Sequence, residues 1–158
     1  FWLQVISEPG RFFVECCADL YARITTVRMP TAGFPDIANL YITNGVYQDL
    51  NCIVYDGYKA PFVLVTTTKS GGETELLRLD AWCGKENGAG TIKLTVWGPT
   101  CDSLDIIGVY NCTVEQLNAI SSRRNEVLLK YENLGAYSMS GGCPFNGYQK
   151  AGLVRIEN

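Results

Sequence analysis

No histidine occurs in the 158 residues, and that absence removes more chemistry than any other feature of the sequence. Ser-His-Asp triads, imidazole acid–base catalysis and His-ligated zinc are excluded for this chain acting alone. Basic excess is lacking too. With 13 Lys+Arg against 16 Asp+Glu the net charge is −3, so nucleic acid is not an expected partner. No apolar run approaches the ~20 residues of a membrane span, and no membrane partner is expected. The seven cysteines include no Cys-x-x-Cys pair, and their odd number suits reduced thiols in a cytoplasmic setting better than a disulfide framework. Asn111-Cys112-Thr113 matches the glycosylation pattern and is read as chance. There is no initiator methionine, and the opening Phe1-Trp2-Leu3-Gln4-Val5-Ile6 has neither the basic flank nor the cleavage residues of a signal peptide. A fragment, or the downstream product of a cut or split chain, is the expectation.

What is there describes a foldable domain: 47% apolar, 18% charged, without repeats, low-complexity tracts or charge runs. Trp2 to Ile6 reads as a short buried parallel strand ending at Ser7-Glu8-Pro9-Gly10. Arg11 to Ile24 carries apolar residues at 13, 14, 17, 20, 21 and 24, a spacing that predicts one helix face. Residues 1–24 thus form a strand–turn–helix unit like the last unit of a β/α barrel, whose sites collect at the C-terminal strand ends, here Glu8 to Arg11. Read locally, Glu8 and Arg11 are equally helix-start charge and surface polarity. Beyond a boundary near residue 25, strands are predicted at 25–29, 39–43, 51–55, 61–68, 74–82, 91–97, 126–131 and 150–156. A short helix is predicted at 113–122, capped by Thr113 with Gln116 three residues on. The fold class is therefore mainly β, an antiparallel β-sandwich or barrel over 25–158.

Chemistry concentrates in Trp97-Gly98-Pro99-Thr100-Cys101-Asp102-Ser103-Leu104-Asp105. Gly98-Pro99 stops the preceding strand, because proline has no N–H for a sheet ladder and glycine loosens the backbone. A thiol and a carboxylate then stand side by side, with another carboxylate three residues on. On a regular strand Cys101 and Asp102 would point to opposite faces; an irregular loop can aim both at one pocket. If it does, the anion keeps the thiol protonated, which suits an acid, whereas a nucleophilic thiol needs a cation or histidine beside it. The local alternative is a surface turn with one buried cysteine. Likewise Asp56 ahead of Gly57 is a common turn pair, and Tyr47 and Phe145 are equally ordinary half-buried aromatics.

The stretch from Trp97 to Asp105 closely resembles the active-site loop of the ornithine decarboxylase family, the fold-type III pyridoxal-phosphate decarboxylases of ornithine, lysine, diaminopimelate and arginine. Glu8-Pro9-Gly10-Arg11, Asn44-Gly45-Val46-Tyr47, Asn51-Cys52-Ile53-Val54-Tyr55-Asp56, Glu132-Asn133-Leu134-Gly135-Ala136-Tyr137 and Phe145-Asn146-Gly147-Tyr148 resemble further family landmarks, in the family's order. The resemblance implies the C-terminal portion of such an enzyme: residues 1–24 as the final strand–helix unit of the cofactor-binding barrel, and 25–158 as the C-terminal β-domain. It implies pyridoxal 5'-phosphate as cofactor, with Glu8 against the ring nitrogen, and Pro9, Gly10, Arg11 and Tyr137 around the phosphate. Cys101 becomes the acid that returns a proton to Cα once carbon dioxide has left. Asp56 and Asp102 grip the far end of the substrate, with Tyr55, Tyr47 and Phe145 around it. Two carboxylates without a cation in a dry pocket favour a distal ammonium. Ornithine, giving putrescine for polyamine synthesis, is the first expectation and lysine the second.

The family's Schiff-base lysine, phosphate-binding glycine loop and ring-stacking histidine lie upstream of the segment that residue 1 begins. The resemblance therefore implies an upstream barrel portion as partner, and a homodimer with its sites at the subunit interface. The family also includes non-catalytic antizyme inhibitors, which keep the fold and bind the regulatory protein antizyme; retention of Glu8, Arg11, Cys101, Asp102 and Tyr137 favours the enzyme. Two departures stand out. Asn44 occupies a usual aspartate position, with a weakened charge contact expected there, and the segment between Asp105 and Glu132 is longer than usual, as is the turn-rich region from Ser70 to Gly90; Ser103 in place of the commoner glycine is tolerable in a loop.

Overall fold

A computed structural model describes residues 3–7, 9–67, 72–79 and 90–155. Alternation builds the sheet. In β5 (Thr91–Trp97), Ile92, Leu94 and Val96 are buried while Lys93 is exposed, and the same period of two buries Leu20, Ala22 and Ile24 of β1 (Leu20–Arg28). β2 (Ile37–Ile42) turns Ala38, Leu40 and Ile42 inward, and β7 (Val127–Tyr131) does so with Val127, Leu129 and Tyr131. With β3 (Phe62–Thr67), β4 (Glu73–Leu79) and β6 (Ile106–Thr113) these strands form one mixed seven-stranded sheet in the order β4-β3-β7-β1-β2-β5-β6. The sheet curls on itself: the Phe62 ring of β3 lies edge-on to Tyr110 of β6 at 4.8 Å, and the Tyr110 hydroxyl donates to the Ala60 carbonyl at 2.5 Å.

The mainly β expectation holds, and so does the helix at 113–122. It forms over Val114–Ser122, with Thr113 Oγ1 accepting from the Gln116 amide and Gln116 Oε1 from the Thr113 amide. Other elements differ. The helix predicted over 11–24 is only one turn, Gly10–Val14, followed by a 3-10 turn at Glu15–Cys17; β1 then takes over and crosses position 24/25. Long-range pairing decides this, because Leu20 and Ala22 line up with Tyr131 and Leu129 of β7 and need a period of two. The predicted strand at 51–55 is a helical turn, Cys52–Tyr55, which buries Cys52. Residues 150–155 form no regular element, and Leu153 and Val154 are exposed. Leu3, Val5 and Ile6, predicted as part of a buried strand, are exposed without regular structure. β6 escaped the sequence pattern because Gly108 interrupts its apolar run.

One pairing positions everything that follows. β2 and β5 run parallel, Ala38 opposite Leu94 and Leu40 opposite Val96, so the all-antiparallel expectation is corrected here. Parallel neighbours deliver their carboxyl ends to the same side, which puts the segments after Ile42 and after Trp97 together. β1 is antiparallel to both β2 and β7. The segment before Leu20 and the segment after Tyr131 therefore reach that same end.

Candidate active site

Four irregular segments meet at this end of the sheet: residues 10–19, 43–56, 98–105 and 132–147. From the second, Tyr47 donates its hydroxyl to Asp102 Oδ2 at 2.7 Å; Asp102 Oδ1 accepts from the Leu104 amide at 2.8 Å. These two donors, the Leu104 amide first, hold the Asp102 carboxyl below the usual range. The same bond, with desolvation and the Asp102 charge behind it, pushes Tyr47 up to about 12, so Tyr47 remains a neutral donor across the physiological range. Phe145 stacks on the Tyr47 ring with centroids 4.2 Å apart, and the Cys143 amide donates to the Tyr47 carbonyl at 2.7 Å. Asn146 directs Nδ2 toward Cys101 Sγ at 3.8 Å. Cys101 is exposed, which sets aside its reading as a buried cysteine in a turn. Tyr47 is half-buried, and it and Phe145 form one stack whose tyrosine hydroxyl reaches the residue next to Cys101.

A second group gathers at the far end of the 43–56 segment. Arg11 donates Nη2 to Asp56 Oδ2, and its guanidinium lies 5.7 Å from the Tyr137 ring centroid. Tyr137 has φ 63°, left-handed backbone that an aromatic residue rarely adopts. Gly10 leaves room for its side chain, since a Cβ there would fall 2.5 Å from the Tyr137 hydroxyl and oblige that ring to shift. Asp56 is exposed and carries Arg11 as counter-ion, and Asp102 is only part-buried, so the premise of two cation-free carboxylates in a dry pocket is corrected; among the described residues no cation pairs with Asp102. Tyr55 is exposed at the end of the helical turn Cys52–Tyr55. Pro9 precedes the first turn as its cap residue. Glu8 lies outside the described residues.

Asn44 does not simply weaken a charge contact. It is buried, and its Nδ2 donates to Asp49 Oδ2 at 2.8 Å, where the Ala151 amide also donates at 2.9 Å. Sequence reasoning did not foresee this pair, nor Asn146, nor the burial of Asp105. Asn111 sits mid-strand in β6 with its Oδ1 buried, which supports reading the glycosylation match as chance. A cavity of about 960 Å³ opens between residues 16–23, 43–44 and 149–155, and is lined by none of the predicted site residues. Among the described residues no helix is long and apolar enough to cross a membrane, and no group of three His, Cys, Asp or Glu side chains is placed to hold a metal.

Tyr47→Phe tests the first cluster directly. Losing the hydroxyl donor moves the Asp102 pKa up toward the ordinary aspartate value, read from a carboxyl NMR titration. Because the folded-state value is depressed, its stabilisation is present above the ordinary aspartate pKa and is lost as pH falls through the folded value. The variant therefore loses less stability on acidification than the parent.

Residues 15–121 match the family model described as "Pyridoxal-dependent decarboxylase, C-terminal sheet domain". The chain is 31% identical to the chloroplastic ornithine decarboxylase of Nicotiana glauca over 96% of its own length, and 33% identical to the ornithine decarboxylase of Candida albicans over 92%. It spans about a third of the length of these relatives, 30% and 32%. Among solved structures, the lysine/ornithine decarboxylase of Vibrio vulnificus complexed with putrescine superposes with a TM-score of 0.58 at 21% identity, over 89% of this chain and 30% of that one. The arginine decarboxylase of Paramecium bursaria Chlorella virus gives 0.57 at 16%, with 89% and 30% covered. At these identities the two structures establish the fold.

Proposed function

Because the chain belongs to the pyridoxal-dependent decarboxylase family through its C-terminal sheet domain, we propose that it is the substrate-gripping and proton-delivering part of an L-ornithine decarboxylase. The observation that carries this reading is the convergence of Tyr47, Phe145 and Asn146 on the adjacent pair Cys101–Asp102. Asp102 has hydrogen-bond donors but, among the described residues, no paired cation, so a distal ammonium is its natural complement. Cys101 is the acid, a thiol exposed at the loop tip and able to return a proton to Cα. The order ornithine before lysine stands as the reading, alongside the relatives named as ornithine decarboxylases.

The residues present fit pyridoxal phosphate. Arg11, the Tyr137 hydroxyl and the close approach permitted by Gly10 make a donor set suited to a phosphate, and Arg11 has five N–H groups, enough to keep Asp56 and accept a second anion. When bound, the cofactor supplies the electron sink for the pair left at Cα. Glu8 and Pro9 belong to the same proposed set, and Asp56 and Tyr55 to the substrate end. The proposal includes a barrel portion carrying the cofactor lysine, with the segment that precedes β1 leading out of its last unit, a homodimer, and a cytoplasmic location.

An intact-mass measurement and visible absorption scan of the purified native protein, followed by a diamine and carbon dioxide assay, test this. Bound cofactor and putrescine from ornithine, in excess over cadaverine from lysine, are expected. A protein that retains no cofactor and releases no carbon dioxide overturns the reading and leaves a non-catalytic, antizyme-inhibitor-like homologue.

A further inference from the structure

Asp105 is a carboxylate with 0% of its surface exposed, and its side-chain hydrogen bonds lead to two segments that carry proposed site residues. Its Oδ1 accepts from the Val46 amide at 2.9 Å. Its Oδ2 accepts from the Thr100 amide at 3.0 Å and the Thr100 hydroxyl at 2.8 Å. Its backbone closes the loop, the Gly98 amide donating to the Asp105 carbonyl at 2.8 Å and the Asp105 amide to the Asp102 carbonyl at 3.0 Å. Two glycines make room for the side chain. A Cβ on Gly45 or on Gly98 would each fall 2.2 Å from Asp105 Oδ1, so any side chain there would displace the carboxylate. A buried carboxylate is expensive unless several donors are aimed at it, and here the donors belong to the two loops that the Tyr47–Asp102 bond also joins.

We infer that Asp105 is a positioning residue: its buried carboxylate clamps the loop bearing Cys101 and Asp102 onto the Gly45–Val46 turn that presents Tyr47. Its effect is geometric. Val46 precedes Tyr47, whose hydroxyl meets Asp102, while Thr100 precedes Cys101, so the clamp holds the Tyr47–Asp102 bond from one residue away on the Tyr47 side and two on the Asp102 side. Its catalytic meaning rests on the decarboxylase reading, but its geometric meaning does not.

The test uses the native protein with Asp105→Asn, which keeps shape and one carbonyl oxygen but turns an amide donor toward either Val46 or Thr100. Thr100→Val is the milder companion, removing one donor and keeping the backbone bond. Expected is an increase of about tenfold in hydrogen exchange at the Val46 and Thr100 amides in Asp105→Asn, from loss of a charge-assisted bond. A change of similar size is expected in the alkylation rate of Cys101, read by peptide mass, with the exposed Cys16 unchanged in the same sample as reference. Thr100→Val should show the same selective pattern, smaller. Uniform acceleration at all exposed cysteines with a lowered melting temperature in both variants would reduce Asp105 to a stability residue and overturn the inference. So would unchanged exchange and alkylation in folded Asp105→Asn. If the selective changes occur in a protein that decarboxylates nothing, the clamp stands and the decarboxylase reading fails; if they occur in an active enzyme, kcat should fall more than KM rises.

Discussion

Cys101→Ala lowers the rate of diamine formation by about 10²–10⁴-fold, the range a positioned general acid contributes. The thiol is exposed, so alanine leaves no cavity, and the change in stability should stay within about 0.5 kcal/mol. Rate and stability are thereby separated: kcat falls while the melting temperature holds. Protonation itself is readable in heavy water. On the proposed role of Cys101, the parent is expected to place solvent deuterium at Cα on one face, and Cys101→Ala to let solvent deliver it without facial preference. Cys16→Ala, another exposed cysteine and far from Asp102 in the sequence, should change neither readout. A parent-like rate and facial selectivity in Cys101→Ala would remove Cys101 from the reaction. The residue's neighbours also constrain the outcome. Tyr47 and the Leu104 amide favour the ionised form of Asp102, so the residue that follows the thiol in sequence is an anion across the physiological range.

Asn44→Asp destabilises the fold by about 3–5 kcal/mol at neutral pH, the cost of an uncompensated buried charge. Asn44 Nδ2 donates to Asp49 Oδ2 in a buried site, and aspartate would replace that donor with a second carboxylate oxygen at hydrogen-bond distance. One of the two carboxyls must then hold a proton in the folded state, so its folded pKa rises above the unfolded value of about 3.9. The loss is absent below that unfolded value and complete above the raised folded one, which makes urea unfolding at acid and neutral pH the decisive comparison. Asn44→Asp combined with Asp49→Asn restores most of the stability, since the carboxylate and the amide merely exchange places and the Ala151 amide still finds an oxygen. Equal stability of parent and single variant at neutral pH would show that the site relaxes to water.

The sequence by itself determined the β character of the chain, the strand at 91–97, the capped helix after Thr113 and the landmark order by which the family was recognised. These rest on local chemistry: alternation in Ile92, Leu94 and Val96, a capping box three residues wide, a Gly-Pro stop before Cys101. Each is complete within a few neighbours, so each could be read without a fold. What only the tertiary structure decided is which segments meet. Residues 20–24 satisfy a helical spacing and a strand alternation equally well, and pairing with β7 chose the strand. The parallel pairing of β2 with β5 leaves no local mark, yet it alone brings the Tyr47 turn to the Cys101 loop. Asp105 reads as one more polar loop residue until Gly45 and Gly98, 53 positions apart by their numbers, are seen to open space for the same carboxylate. Burial, and with it the electrostatic weight of a charged group, depends on groups far apart in the chain. Local sequence carries the donors and acceptors, and only the folded sheet sets which of them lose water together.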